Sequence, residues 1–474
     1  MQKLVAVVKR SCQTCQLVTP VLSRLEKEGL LTTVYSQDDP SFPEDVTTIT
    51  DDRDLKMSWQ SKIEIVPTLI RLDGESEKGR AIGWNRSEWA ELSGVCDLGA
   101  DLPASRPGCG SMSIDPGMEE RLTIRFDGDG LESRRIDLGI DEDEFEAMFE
   151  RGWSDGLPLV PPTPERVTRM LAGTSRLAHE MIGKVPPDLV ECTVEKVAVN
   201  AVMAGCKPEY MPVLLTAVEA TLTPEFCMHG VLATTMFCAP ILIVSGPVTK
   251  SIGMNWSENA LGQGNRANAT IGRALQLVIR NIGGGRPGEI DRSALGNPGK
   301  YTFCFAEDET DDFWPSLAQD KGINLGKSAV TVFAGEGIQG IVDQKARTPE
   351  ALTASFAASL LAVGNIKLAM GGDAILVVCP EHVNVFREHG WNKERLQEEL
   401  HRRLIRPGDD LIAGVAGIDE GLPDFVKGKE IPKFKPGGLM IVRAGGQAGK
   451  FSAILSGWGA SGNVGSSPVT REVN

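Results

Sequence analysis

The chain has 474 residues, 41% apolar and 24% charged, enough to bury a large core but too long for one compact domain, so two or three domains are expected. Lys and Arg number 49 against 64 Asp and Glu, a net charge of -15; with no basic cluster in the chain, this argues against nucleic acid or an acidic membrane as partner. The longest apolar runs fall short of the roughly 18 to 20 residues of a membrane span, and MQKLVAVVKRSC is too short for a signal peptide, so a cytoplasmic location is expected.

Residues Lys3 to Lys9 predict a short strand, and RSCQTCQLVTPVLSRLEKEG carries helical periodicity through Val18, Leu22 and Leu25. Cys12 and Cys15 therefore fall where a strand hands over to a helix. Free amides at such a helix start favour a thiolate, which makes Cys12 the candidate nucleophile. Cys15, one turn further on, is placed to attack a mixed disulfide formed on Cys12. Five histidines, at 179, 229, 382, 389 and 401, form no ligand pattern, so no metal site is expected. Redox chemistry falls to the ten cysteines, mostly reduced thiols in a cytosolic chain. DLKMSWQSKIEIVPTLIRLDGESEKGRAIGWNRSEWAEL then predicts a short helix, a strand interrupted by Val66-Pro67-Thr68, a turn, a second strand and a closing helix.

This order of elements over residues 1–95 resembles thioredoxin. The resemblance implies a cis Pro67 beside the Cys-Gln-Thr-Cys motif, with the preceding backbone free to pair with an extended substrate. Two departures stand out: Arg10-Ser11 replaces the family's usual tryptophan position, and Gln-Thr replaces Gly-Pro between the cysteines. A metal half-site or accidental spacing is the competing reading of the motif, but the chain holds no second CxxC and the Val-Pro-Thr element is present.

Residues 96–118, rich in Gly, Pro and Ser, predict a linker, with Cys109 on it as a thiol able to reach either neighbouring domain or as an unimportant surface cysteine. Residues 119–140 predict a β-hairpin turning at Asp127-Gly128-Asp129-Gly130. From 141 to 474 the pattern is that of an α/β domain. APILIVSGPV, SAVTVFAG and DAILVVCPEH read as buried strands among helical segments, and GLMIVRA and FSAILSGW as a terminal pair that makes the sheet mixed. Similar composition over 190–290 and 325–415 leaves a distant duplication open. The fold class expected is thus α/β, an N-terminal thioredoxin-like domain followed by a larger α/β domain with a mixed sheet.

Four segments, GWSDGLPLVPPT at 152–163, AVMAGCKPEY at 201–210, ANATIGRA at 267–274 and PGKY at 298–301, together resemble the large domain of the UGSC family of (seleno)proteins. The resemblance implies a redox module bearing a cysteine or selenocysteine coupled to a catalytic α/β domain, with Cys-Gln-Thr-Cys in the module's place.

Three places in the larger domain gather polar groups. In GQGNRANATIGRA, the residues Asn265, Arg266, Asn268 and Arg273 crowd the start of a helix, either to hold an anion or to cap and pack. Cys206 follows a helix with Lys207 and Glu209 nearby, as a thiol relay with an acid or base or as a buried inert thiol. Cys304 lies on a strand that ends in Glu307, Asp308 and Glu309, as a source of a general acid or as a solvated strand end. His382 is placed either as a base or as a cap. The proline-rich segment after Asp155 is stiff enough to wall a pocket or clamp subunits.

The function expected is a thiol-dependent oxidoreductase in which Cys12 and Cys15 supply electrons to a small organic substrate in the α/β domain, by carbon–heteroatom cleavage or disulfide reduction. A homo-oligomer, no cofactor beyond the redox-active cysteine pair, and an external thiol or disulfide reductase as partner are also expected. The competing readings are a non-redox lyase or hydrolase that uses the small domain for docking, and a redox-sensing scaffold.

Overall fold

The computed structural model describes residues 2–74, 76–127, 130–139, 141–458 and 465–474. The chain divides into two compact units, Met1–Leu131 and Glu132–Asn474. Among the described residues no helix is long and apolar enough to cross a membrane.

In the first unit β1 (Gln2–Val8) leads into α1 (Gln13–Leu17) and α2 (Thr19–Lys27), then β2 (Leu31–Ser36), β3 (Ile49–Asp51) and α3 (Lys56–Gln60). β4 (Ile65–Val66), β5 (Thr68–Asp73), β6 (Ser76–Ile82), β7 (Trp84–Asn85) and α4 (Arg86–Ser93) follow. The five-stranded sheet has the order β3-β2-β1-β5-β6. β1 pairs parallel with β2 and antiparallel with β5, which makes it central, and Leu4 to Val8 are all buried. The helical stretch after β1 is broken at Val18, because Pro20 cannot donate the amide that a continuous helix needs and instead opens α2. α4 is closed at both ends, by the Asn85 side chain accepting from Ser87 and Glu88 and by Gly94 in the left-handed region.

The expected linker at 96–118 is part of this unit. β8 (Ser105–Arg106) pairs with β7, β9 (Cys109–Gly110) pairs with β4, and Met112–Ile114 forms a 3-10 turn whose Ser111 and Ser113 are buried. Its Gly, Pro and Ser content reflects close approach to other backbone rather than freedom. The expected hairpin at 119–140 is corrected as well. α5 (Met118–Leu122) and a π turn over Thr123–Asp127 replace its first strand. Leu122 and Ile124, two residues apart, follow the strand period, yet both are buried where α5 passes into the π turn. Gly128 and Asp129 of the expected turn lie outside the described residues.

In the second unit α6 (Glu144–Glu150) and α7 (Pro164–Leu171) precede a hairpin of β10 (Met181–Val185) and β11 (Val190–Thr193). α8 (Val194–Ala204), α9 (Met211–Thr221), α10 (Met228–Ala233), β12 (Ala239–Ser245), α11 (Val248–Ser251) and α12 (Arg266–Asn281) follow. Then come β13 (Cys304–Ala306), α13 (Leu317–Asp320), β14 (Ala329–Val342), α14 (Pro349–Leu361), β15 (Gly372–Val378), α15 (Pro380–Glu388) and α16 (Lys393–Arg403). β16 (Ile405–Pro407), β17 (Glu430–Pro432), β18 (Phe434–Arg443), β19 (Phe451–Gly457) and β20 (Val469–Glu472) complete it.

Seven strands form a mixed sheet ordered β13-β12-β14-β19-β15-β18, with β20 beside β14. The expected mixed α/β architecture is therefore present. The terminal strands are not neighbours, however: β15 lies between β18 and β19, parallel to the first and antiparallel to the second. Residues 444–450 between them resemble a hairpin turn, but β15, apolar from Ala374 to Val378, satisfies their inner edges instead. The stretches 190–290 and 325–415 differ in element order, strand-helix-helix-helix-strand-helix-helix against strand-helix-strand-helix-helix-strand, so no duplication is evident.

Candidate functional site

β1 delivers the chain into a turn that the Asp38 carboxylate fixes, accepting from the Arg10 amide at 2.6 Å and the Ser11 amide at 2.9 Å. Cys12 is the N-cap of α1, and its sulfur accepts from the Cys15 amide at 3.4 Å. Cys15 lies one turn further, its sulfur accepting from the Lys9 amide at 3.5 Å. The Val66–Pro67 peptide is cis and Pro67 is buried, with the Val66 carbonyl 3.5 Å from the Cys12 sulfur. Cys12, Cys15 and Pro67 are thus brought together as expected.

A third thiol joins them. β9 runs antiparallel to β4, so Cys109 lies opposite Val66, whose carbonyl is 3.5 Å from the Cys12 sulfur, and Gly110 lies opposite Ile65. The segment is fastened along its length. Thr14 Oγ1 donates to the Pro107 carbonyl at 2.7 Å, Lys9 Nζ to the Gly110 carbonyl at 2.7 Å, and the Ser111 amide to the Glu64 carbonyl at 2.8 Å. Arg106 reaches Gln13 Oε1 at 2.7 Å. Gly108 is required here, because a Cβ on it would stand 2.4 Å from Ile65 Cγ2 and 2.5 Å from the Val66 carbonyl oxygen. Cys12 and Cys15 are both 0% exposed, whereas Cys109 is half-buried.

The electrostatics of the pair are opposed. Hydrogen bonds from the Cys15 thiol above all, then from the Cys109 thiol and the Cys15 and Thr14 amides, outweigh burial and pull Cys12 down to about 5. Burial pushes Cys15 up, and its hydrogen bond to the Cys12 sulfur adds to that. Cys109 is raised by its hydrogen bond to Cys12, then by burial. Among the three sulfurs one charge is therefore held on Cys12, with protons on the two around it.

The candidates of the second unit divide differently. Asn265 is the N-cap of α12, accepting from Asn268 N at 3.0 Å and donating to the Gly253 carbonyl at 2.8 Å. Asn268 is buried and joins that helix to the preceding loop through Asn255 and Ala260. Arg266 donates to the Gly205 and Cys206 carbonyls, and Arg273 to both oxygens of Asp155 at 2.8 Å and to the Leu157 and Pro158 carbonyls. These four residues cap and tie the fold rather than present an anion cradle. Cys206 is buried, not exposed by its turn; its thiol donates to the Thr270 carbonyl at 3.3 Å, and burial pushes it up to about 12. Cys304 is buried and raised in the same way. Glu209 is exposed and pairs with Lys207 at 3.6 Å.

The acids after β13 are not a solvated strand end. Burial pushes Glu307 up to about 7, while its carboxylate accepts from Ser245 Oγ at 3.0 Å and the Leu317 amide at 2.8 Å. Asp308 pairs with Arg443 at 3.1 Å. His382 is buried between Ser452 Oγ at 2.7 Å and the Asp343 carbonyl at 3.0 Å, so its role is structural.

A cleft of about 430 Å³ in this unit, which sequence reasoning did not single out, is lined by Asp155, Gln276, Arg280, Asp291, Lys300 and Tyr301 over apolar walls from α10 and β12. Buried N–H groups of Gln276 (Nε2) and Arg280 (Nε) find no hydrogen-bond partner there among the described residues. Asp155 places the stiff proline-rich segment at its rim. A shallower depression of about 590 Å³ lies along Met254–Asn265. Among the described residues no group of three His, Cys, Asp or Glu could hold a metal ion.

Sequence reasoning missed Cys109 as a member of the site, and the available signal was Gly-Cys-Gly, small residues flanking a thiol where backbone meets backbone. No protein-family model matches the chain, and no curated protein and no solved structure matches it either.

Proposed function

We propose that the first unit is a thioredoxin-like thiol–disulfide oxidoreductase in which Cys12 attacks and Cys15 resolves. The observation that carries this reading is the asymmetry of the pair, with Cys12 drawn down to about 5 and Cys15 pushed up beside it. One sulfur is nucleophilic at neutral pH and the other keeps its proton until the second step. The sheet order, the cysteines directly after β1 and the cis-proline directly before β5 support the thioredoxin-like assignment.

The chemistry is a two-electron exchange. The Cys12 thiolate attacks a sulfur of a disulfide RSSR, forming a mixed disulfide and releasing one RS⁻, which takes a proton from solvent. Cys15 then attacks the Cys12 sulfur, forming the Cys12–Cys15 disulfide and releasing the second RSH with the Cys15 proton. An external thiol or disulfide reductase restores the dithiol. The cleft of the second unit, where Lys300 pairs with Asp291 at 2.9 Å and the N–H groups of Gln276 Nε2 and Arg280 Nε have no partner among the described residues, suits a small organic molecule with an acceptor group such as a carboxylate. Covalent linkage holds the two units at an effective concentration in about the millimolar range.

The test uses the full reduced chain with glutathione disulfide as substrate and mass spectrometry of its cysteine peptides. The expected product is one Cys12–Cys15 disulfide for each two glutathiones released, and none from Cys12→Ser. Oxidation confined to the exposed Cys96, with Cys12 and Cys15 left as thiols, would overturn the assignment.

A further inference from the structure

Resting on the exchange chemistry just proposed, the structure points to a partner for it within the same chain. The resemblance to thioredoxin implies that an extended substrate pairs with the backbone before Pro67, as a strand added to an edge. Here that position is filled: Cys109–Gly110 pairs antiparallel with Ile65–Val66, so Cys109 lies opposite Val66, whose carbonyl is 3.5 Å from the Cys12 sulfur. Contacts from Thr14, Lys9, Gln13 and Glu64 hold the segment down on both sides of the thiol. Under it Cys12 has no exposed surface, whereas Cys109 does.

We propose that Cys109 is the in-chain redox partner of Cys12, mounted as a substrate strand, so that a small disulfide exchanges first with Cys109 and its electrons then come from the Cys12–Cys15 pair through a Cys12–Cys109 disulfide. The bonds balance. The Cys109 thiol gives its proton to solvent as its sulfur attacks RSSR, forming Cys109–S–S–R and releasing RS⁻. The Cys12 thiolate attacks the Cys109 sulfur, forming Cys12–S–S–Cys109 and releasing the second RS⁻; solvent supplies a proton to each. Cys15 attacks the Cys12 sulfur, forming the Cys12–Cys15 disulfide, and its proton goes to the departing Cys109. Two electrons pass from the dithiol to RSSR and Cys109 returns as a thiol. The raised proton affinity of Cys109 fits the last step, since its main cause, the bond to the Cys12 charge, is gone once that sulfur is in a disulfide.

The experiment uses the full chain, reduced, freed of reductant and exposed to glutathione disulfide, with acid quench, alkylation and mass spectrometry. In Cys15→Ser the expected species is an internal Cys12–Cys109 disulfide, seen also as faster migration on non-reducing gels. Glutathione trapped on Cys12 with Cys109 free would overturn the proposal. In Cys109→Ser the Cys12–Cys15 disulfide is expected to form roughly tenfold or more slowly, and an unchanged rate would overturn it. Should Cys109→Ser not fold, the Cys15→Ser cross-link still decides. Failure of the parent reading looks different: the unsubstituted chain would never form the Cys12–Cys15 disulfide.

Discussion

Replacing Gly108 by Ala should open the thiol site without touching a sulfur. A methyl at this position would stand 2.4 Å from Ile65 Cγ2 and 2.5 Å from the Val66 carbonyl oxygen. The isoleucine can rotate, since it is partly exposed, but the carbonyl oxygen is backbone and has no side-chain torsion to turn it aside. Gly108 has no left-handed φ, so the effect is overlap rather than conformation. Overpacking of this kind costs about 1–3 kcal/mol, and if lifting β9 relieves it, the population with Cys12 uncovered rises by roughly 5- to 150-fold. Alkylation of Cys12 by iodoacetamide, followed by peptide mass spectrometry with exposed Cys96 as an internal clock, reads that population directly. Gly110→Ala is the control, because its Cβ meets nothing nearer than Ile114 Cδ1 at 3.8 Å, and its Cys12 rate should stay at the unsubstituted value. A Gly108→Ala chain that melts lower yet alkylates Cys12 no faster would refute the covering role of the segment.

Four further outcomes follow from the same geometry. Because Cys12 falls from its ordinary 9 to about 5 on folding, the unfolded chain holds the extra proton between those values; stability of the reduced first unit should rise with pH across that window and fall back toward pH 5, and Cys12→Ser should flatten the rise in denaturant titrations. Glu307 runs the other way: its ordinary 4.5 is raised to about 7, so its contribution is intact below pH 4.5 and is lost as pH rises through 7, about 3 kcal/mol in all, and Glu307→Gln should remove the difference between denaturant midpoints at pH 5 and pH 8. Arg273→Lys, which cannot reproduce the two-toothed bond to Asp155 or reach the Leu157 and Pro158 carbonyls, should cost about 1–3 kcal/mol by the same measurement. Succinate should raise the melting temperature of the chain by filling the cleft beside Arg280, and Arg280→Met should abolish the rise.

What could be read from the sequence was whatever is local. The strand-to-helix step at Cys12, the Val-Pro-Thr break and the long helices α8, α12, α14 and α16 each declare themselves within one window of residues through period, caps or proline. Apart from the hairpin expected at 119–140, where a local strand period gave way to a helix, the failures involve pairing at a distance. Residues 96–118 looked like a linker because Gly, Pro and Ser favour loops, but the same residues permit backbone to lie against backbone, and only Ile65 and Val66, forty residues earlier in the chain, reveal which use applies. The terminal strands looked adjacent because nothing near them announces that β15 will insert. Asn265, Arg266, Asn268 and Arg273 looked like a binding loop because the residue types that cap helices are also those that bind anions, and the partners that occupy them, Gly253, Gly205, Asn255 and Asp155, lie elsewhere in the sequence.

The covered thiolate is a physical consequence of its own activation. A sulfur drawn down to about 5 is ionised at every neutral pH, and left open it would meet any oxidant in solution. The groups that lower it must also lie within hydrogen-bonding reach, so activation by neighbouring thiols and amides brings burial with it. In this unit two of the three sulfurs perform that service, Cys15 from inside the helix and Cys109 from the strand above. A cover made of inert residues would protect Cys12 and silence it. A cover that carries a thiol against the buried sulfur protects it while leaving one reactive atom at the surface, and thiol–disulfide exchange needs no more than that atom to pass oxidation inward. The value of the arrangement therefore rests on Cys109 itself rather than on the segment's shape, and serine at that one position separates the two.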